Sequence, residues 1–245
     1  QRIAEERDVR RGAHRVSGAG PALPRRRRDE DRRPAAARRV TAVPRLVVPH
    51  RRAGDRVARV ERKVRPADGG REVAFCGRAN AGKSSAINTL TESARLARTS
   101  KTPGRTQLLN FFALNESARL VDLPGYGYAQ TSKEIQAHWK RHLDHYLRER
   151  LSLVGLVLVM DIRHPLRPFD WMMLEWAQAR VLPVCILLTK ADKLSRNQAQ
   201  QSRLKVLKSL AEVNISEQVN VQCFSTLSRE GMAELIALLK GWLAL

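Results

Sequence analysis

The run Gly77-Arg78-Ala79-Asn80-Ala81-Gly82-Lys83-Ser84 sets two glycines, with four residues between them, directly before a Lys and a Ser. The upstream run Glu72–Cys76 is short, apolar and rich in β-formers, and the downstream run Lys83–Leu90 reads as a helix. A strand, a glycine-bounded loop and a helix start in this order form a cradle for phosphate. Gly77 and Gly82 let the backbone wrap an anion without a Cβ in the way. Successive N–H groups then face the anion, and the helix N-terminus adds its positive end. Lys83 would reach the β- and γ-phosphates of a nucleotide, and the Ser84 hydroxyl would ligate Mg²⁺.

The chain beyond the loop repeats the same alternation. Leu108–Leu114 and Ala118–Asp122 are strand-like runs joined by Asn115-Glu116-Ser117, a hairpin connection. Lys133–Arg150 is helical, with Ile135, Trp139, Leu143 and Leu147 on one stripe. Val154–Met160 is continuously apolar, as a parallel strand covered on both faces should be. Phe169–Ala179 reads as a helix, Pro183–Leu188 as a buried strand, Ser195–Leu210 as a helix, Val219–Phe224 as a strand and Gly231–Leu243 as a closing amphipathic helix. Strands alternating with helices imply an α/β three-layer sandwich: a mostly parallel sheet, with one antiparallel strand from the hairpin.

Two more motifs fall at strand ends. Asp122-Leu123-Pro124-Gly125 closes an apolar strand. In a nucleotide switch an Asp there holds a Mg²⁺-bound water and the Gly amide reaches the γ-phosphate, although Asp-x-x-Gly alone is also a common turn. Thr189-Lys190-Ala191-Asp192 follows the strand ending at Leu188. A carboxylate there accepts two hydrogen bonds from the guanine N1–H and N2–H₂ edge, which adenine lacks, so Asp192 would select GTP and GDP. The Lys190 stem would lie over the purine, with Ala191 between them in the motif. Cys223-Phe224-Ser225-Thr226 follows the last strand, where a backbone N–H should meet guanine O6. Ligands of open α/β sheets bind at the C-terminal edge of the strands, and all three motifs sit there in the expected order. The architecture expected is that of a P-loop GTPase.

Between the loop and the Asp-x-x-Gly lies Thr99-Ser100-Lys101-Thr102-Pro103-Gly104-Arg105-Thr106, polar and turn-rich. Its threonines supply the candidate second protein ligand for Mg²⁺: Thr106 first, with Thr102 and Thr99 as alternatives. Gly104, Arg105, Gln107 and Leu108 would join Thr106 at the nucleotide.

Composition matters most upstream. Residues 1–70 hold 21 Lys and Arg against nine Asp and Glu and contain no Phe, Trp or Tyr. Too little apolar surface is available there to offset the entropy of ordering. The segment reads as a disordered or mis-assigned N-terminus, ahead of a nucleic-acid-binding arm; a transit peptide would carry more Ser and fewer acids. Residues 71–245 form the working domain and keep a net charge of +9. A positive excess of this size favours a polyanionic partner, nucleic acid before lipid. Cys76, Cys185 and Cys223 sit in apolar runs at no zinc spacing and read as buried free thiols. No apolar run reaches the roughly 18 residues of a membrane span. The expectation is a cytoplasmic monomer.

Taken together, these residues resemble the EngB-type GTPases, related to the Era and TrmE GTPases. The resemblance runs over about residues 71–243. Gly77–Ser85, Thr102-Pro103-Gly104-Arg105-Thr106-Gln107, Val121 to Ala129 and Met160-Asp161-Ile162-Arg163-His164-Pro165-Leu166 carry it. It implies that Thr106 is the switch threonine, and that the protein aids maturation of the large ribosomal subunit, binds that subunit or its rRNA, and is required for normal cell division and septation. Ala79 and Thr226 stand where the family usually has Ser. The family also has a strand upstream of residue 71, which residues 40–70 do not supply.

Catalysis would rest on Lys83, Thr106 and Asn80. Tyr126 follows Gly125, where a Ras-like protein carries a water-orienting Gln, so intrinsic turnover should be slow. In related GTPases an Asn at the position of Asn80 helps hold K⁺ against the phosphates; the alternative is that Asn80 only caps the loop. Two further function classes stay open: a GTP- or GDP-binding scaffold with negligible turnover, and, more remotely, an Arg-rich nucleic-acid-packaging protein. The basic helix Gln136–Arg150 and His164 are possible RNA contacts, or a solvated face and a loop-shaping residue.

Overall fold

The structure is a computed structural model, and it describes residues 66–93, 96–97, 109–126 and 143–245. Residues 1–65, with the Arg-rich segment, lie outside them. So do residues 98–108, which include the polar loop, and residues 127–142, which hold most of the expected helix Lys133–Arg150.

A six-stranded sheet runs in the order β2-β3-β1-β4-β5-β6. Its strands are β1 (Arg71–Gly77), β2 (Asn110–Ala113), β3 (Ala118–Asp122), β4 (Leu153–Asp161), β5 (Val184–Thr189) and β6 (Val219–Cys223). β1 pairs in parallel with β3 and β4, and the β4–β5 and β5–β6 pairs are also parallel. β2 pairs antiparallel with β3, and Asn110 faces Asp122 across that ladder. This is the mixed, mostly parallel sheet that the sequence implied. The turn is set by Asn115, whose side-chain oxygen accepts from the N–H of Ser117 at 2.8 Å and of Ala118 at 2.6 Å. A short polar side chain bonding its own chain in this way fixes a tight connection.

Helices cover both faces: α1 (Lys83–Leu90), α2 (described over residues 143–149), α3 (Pro168–Ala179), α4 (Arg196–Glu212) and α5 (Met232–Leu243). Alternate residues of β1 show why. Val73 and Phe75 pack with Ile87 and Leu90 of α1 and Leu235 and Leu239 of α5. Ala74 and Cys76 pack with Leu143 and Tyr146 of α2, Met173 and Leu174 of α3 and Leu210 of α4. Period-two alternation along a strand thus sends successive side chains into two separate cores. The helix starts follow local chemistry. Ser195 caps α4 in a reciprocal box with Gln198, and Gly82 and Gly231, both in left-handed backbone, precede α1 and α5.

The edge of the sheet where the parallel strands begin carries a buried charge network. Glu72 is fully buried on β1. Arg150 donates to it from Nε at 3.0 Å and Nη2 at 2.7 Å, the Tyr146 hydroxyl adds a bond at 3.2 Å, and Arg119 of β3 lies 3.4 Å away. Arg150 also donates to the carbonyls of Pro66 and Ala67. Asp68 accepts from the N–H groups of Leu151 and Ser152. Its carboxyl is held at about 2, chiefly by the Leu151 bond. A buried carboxylate costs several kcal/mol unless it is paired, and Glu72 is paired on three sides. The network joins the end of α2 to β1 and β3, far from the motif-bearing edge.

Candidate nucleotide site

The three motifs converge on the C-terminal edge of the parallel strands. The phosphate loop divides into residues that hold the loop and residues that face outward. The Ala79 N–H donates to the Tyr126 carbonyl at 2.9 Å and the Ala81 N–H to the Arg78 carbonyl at 3.0 Å. Among the described residues, no hydrogen bond engages the N–H of Asn80, Gly82, Lys83, Ser84 or Ser85. The last three precede the first bond of α1, from Ala86 N–H to the Gly82 carbonyl at 2.8 Å, and Gly82 has no side chain to cap them. Five free donors within six residues at a helix start suit an anion. Ala79 and Ala81 use their amides to build the loop, whereas the Ser85 amide, outside the expected contact set, is free.

The two loop glycines have different reasons to be glycine. Gly82 sits at φ 98°, in the left-handed region. Gly77 does not. A Cβ there would come within 2.4 Å of the Val159 carbonyl oxygen, so this glycine lets β1 and β4 approach closely. Strand packing is thus a second reason for glycine at this position. Asn80 lies at φ 65°, a region that Asn tolerates better than most residues.

Lys83 and Asp122 are both buried, and their side chains form an ion pair. The sequence set Lys83 toward phosphate and Asp122 toward Mg²⁺; in the structure the two neutralise each other. Gly125 brings the Asp-x-x-Gly segment against the loop, 3.5 Å from Ala79 when measured from an ideal Cβ on the glycine. Tyr126, the next residue, pairs with Arg78 as an isolated parallel bridge. Its ring is buried on the α3 side, stacked on Phe169 with centroids 4.4 Å apart, and its hydroxyl donates to Asp170. Burial raises the Asp170 carboxyl, against the lowering effect of that hydrogen bond.

The base-reading end is equally connected. Asp192 accepts from the Ser225 hydroxyl at 2.7 Å, which holds its carboxyl below the usual range. Ser225 Oγ in turn accepts from the N–H groups of Leu227 and Ser228, each at 3.2 Å. The Phe224 N–H donates to the Leu188 carbonyl and the Ser225 N–H to the Glu230 carbonyl. Of Phe224, Ser225 and Thr226, Thr226 alone keeps an amide with no bond among the described residues. Lys190, at φ 61°, donates to the Asn80 carbonyl at 2.8 Å and to Asp161 at 2.9 Å. Thr189 Oγ1 lies 2.5 Å from the Ala81 carbonyl and 2.9 Å from that of Met160. The guanine motif and the phosphate loop are therefore one hydrogen-bonded unit.

Asp161 ends β4 and belongs to the Met160–Leu166 motif. Burial would raise its carboxyl, but bonds from Arg163 and Lys190 outweigh that and hold it well below the carboxylate range. A carboxylate ending a strand two residues before an Arg was the available signal. The expected contacts Gly104, Arg105, Thr106, Gln107 and Leu108 lie outside the described residues. Leu123 and Pro124 link Asp122 to Gly125, with Leu123 buried. All three cysteines are buried and free; burial pushes the Cys185 thiol up to about 12. Among the described residues no helix is long and apolar enough to cross a membrane.

Residues 72–190 match a sequence-family model described as "50S ribosome-binding GTPase". Among solved structures, a probable GTP-binding protein engB is similar at 20% identity, with a TM-score of 0.57 over 71% of this chain and 98% of that one. Era of Aquifex aeolicus, bound to GDP.AlF4-, is similar at 19% identity and TM-score 0.56, over 71% of this chain and 57% of its own. Era in complex with MgGDPNP and nucleotides 1506-1542 of 16S ribosomal RNA is similar at 18% identity and TM-score 0.55, with the same coverage of 71% and 57%. The chain thus spans nearly all of the first structure and less than two thirds of the Era chains. The near-equal scores establish the fold common to all three and do not separate one relative from the others.

Proposed function

We propose that this P-loop GTPase domain hydrolyses GTP to GDP, and that its nucleotide state times its attachment to the large ribosomal subunit or its rRNA. The observation that carries the reading is the Asp192 carboxylate. Ser225 holds it in place and lowers its carboxyl, on the same edge of the sheet as the five free loop amides, where α/β sheets take ligands. A fixed carboxylate suits the paired donors of guanine, and the amides suit its phosphates. The matched family description and the likeness to Era and engB support the ribosomal partner. The resemblance to EngB-type proteins supports an assembly role needed for cell division and septation.

The residues present fit Mg²⁺. Ser84 offers a hydroxyl and Asp122 a carboxylate, both hard oxygen donors. Among the described residues no three His, Cys, Asp or Glu side chains gather as a metal cage. This suits an ion that leans on substrate phosphates and water. Thr106 would complete the protein ligands. When bound, Mg²⁺ would offset charge developing on the β- and γ-phosphates.

The chain's own part is positioning. Lys83 would leave Asp122 for the phosphates, and the amides of Asn80, Gly82, Lys83, Ser84 and Ser85 would hold them while water attacks the γ-phosphorus. The Tyr126 ring stacks on Phe169 and its hydroxyl is given to Asp170, which supports slow intrinsic turnover and an activating partner.

The test is competition of GTP, GDP, ATP and XTP against a fluorescent GDP, followed by single-turnover hydrolysis with and without large ribosomal subunits. GTP and GDP should compete at least 100-fold better than ATP, in line with the discrimination of polar-edge readers. ATP competing equally would refute the guanine reading. Tight GTP binding with no turnover in either condition would leave the nucleotide-dependent scaffold.

A further inference from the structure

A cleft of about 270 Å³ opens beside the phosphate loop, lined among others by Arg78, Asn80, His164, Arg167, Asp170 and Lys190. It extends beyond the nucleotide cradle, with which it shares residues 78–81 of the loop and Lys190. The free amides lead into α1, which packs with α5 on one face of the sheet. The cleft reaches toward α3, on the opposite face, through Arg167 and Asp170, and the loop residues 79–81 line its near side.

The free charge in this cleft is positive. Both of its acids are engaged: Asp161 with Arg163 and Lys190, and Asp170 with the Tyr126 hydroxyl and the Arg167 N–H at 2.8 Å. Burial raises the Asp170 carboxyl, while the charges of Arg78 and Arg167 act to lower it. Arg78, His164 and Arg167 are exposed at the mouth, and among the described residues none of their side chains makes an ion pair or hydrogen bond. Two guanidinium forks with no hydrogen-bonded partner of their own and an imidazole match the tetrahedral oxygens of a phosphate better than any apolar ligand.

We infer that this cleft binds a backbone phosphate of RNA, seated against the outer side of the loop whose inner side holds the nucleotide. The inference rests on the ribosomal partner proposed above, and it names the residues that would meet that RNA. RNA is favoured over an acidic peptide because residues 71–245 carry a net +9 and because phosphate, not carboxylate, fills a three-donor site. The arrangement gives a route for coupling. Lys190 holds the Asn80 carbonyl, and an anion drawn to Arg78 and Lys190 would bear on the same loop segment that grips the β- and γ-phosphates.

Fluorescence anisotropy of the full chain loaded with GDP or a non-hydrolysable GTP analogue tests this. The probes are 12-nucleotide uridine and adenosine RNAs, with inorganic phosphate and poly-glutamate as competitors. Arg167→Ala should weaken both RNAs equally and lower the slope of log affinity against log salt by about 0.7, one lost single-strand phosphate contact. His164→Ala should weaken them less, and Arg167→Lys should restore most of the slope. GDP affinity should stay unchanged in all three variants, which also reports that they fold. Unchanged RNA affinity and slope in Arg167→Ala, with wild-type protein binding RNA, would overturn the cleft but not the RNA partner. Wild-type protein that binds neither RNA would overturn both. Displacement by poly-glutamate and not by phosphate would assign the cleft to an acidic protein and overturn the inference.

Discussion

The phenol of Tyr126 donates a hydrogen bond to the Asp170 carboxylate, and so ties the residue after Gly125 to the first turn of α3. That places an aromatic ring where a Ras-like protein has its water-orienting Gln, but faces it away from the loop amides and onto Phe169. Tyr126→Phe should keep the stacking and leave a buried carboxyl short of one donor, a loss of roughly 1–3 kcal/mol at neutral pH. The sign with pH follows from Asp170. Its folded carboxyl is raised by burial, so its ionised form costs stability above the unfolded value of 3.8, and that cost is relieved as pH falls. Without the phenol the carboxyl should rise further. Urea denaturation should therefore show a smaller deficit for Tyr126→Phe at about pH 4.5 than at pH 7. A deficit that grows on acidification would contradict this account.

Lys83 and Asp122 neutralise each other inside the protein. Removing one partner of a buried pair leaves an uncompensated charge, at a cost of about 3–5 kcal/mol. Lys83→Ala should thus destabilise the nucleotide-free protein more than Lys83→Ala combined with Asp122→Asn does. Both should lose GTP affinity. Chemical denaturation of the single and double variants measures the coupling, and additive losses would mean that the pair contributes nothing to the fold.

Asp192 reads guanine only if its carboxylate matters chemically. Asp192→Asn should shift preference from GTP toward XTP, because xanthine offers an oxygen where guanine has an amine. Ser225→Ala removes the bond that fixes the carboxylate and should weaken GDP by about tenfold, or ~1.4 kcal/mol, without a gain for XTP. Nucleotide competition separates the two effects. Unchanged GTP affinity in both variants would remove this corner from base recognition.

Asn80 carries a prediction about monovalent ions. If its side chain helps hold K⁺ at the phosphates, hydrolysis should be about tenfold faster in K⁺ than in Na⁺ at equal ionic strength, or ~1.4 kcal/mol of barrier. Asn80→Ala should erase that difference and keep most GDP affinity. The φ of 65° gives a competing reason for an Asn at this position. Asn80→Gly, which also tolerates that backbone, separates the two. A K⁺ preference surviving in Asn80→Gly would assign the residue to the turn alone.

The fold was legible in the sequence because its signals are local: apolar runs of strand length, alternation in β1, and the Asn115 turn. Helix α1 and strand β3 have the bounds that the sequence implied. The motif residues were legible because each ends a strand. What the sequence could not give was partnership across the chain. Glu72 lies 78 positions from Arg150, and Tyr126 lies 44 from Asp170. No periodicity relates such residues; only the closed sheet brings them together. The division of the loop into bonded and free amides was hidden for the same reason, since it depends on the Tyr126 carbonyl.

Gly77 has a consequence for descent. Its missing Cβ serves the approach of β1 to β4, whereas the left-handed backbone of Gly82 serves the start of α1 and the amides that follow. A descendant that abandoned nucleotide altogether would still be selected to keep Gly77 while free to lose Lys83, Ser84 and then Gly82. The first glycine of the motif is thus a fossil of the sheet, and the residues that follow Asn80 record whether the protein still has a use for phosphate.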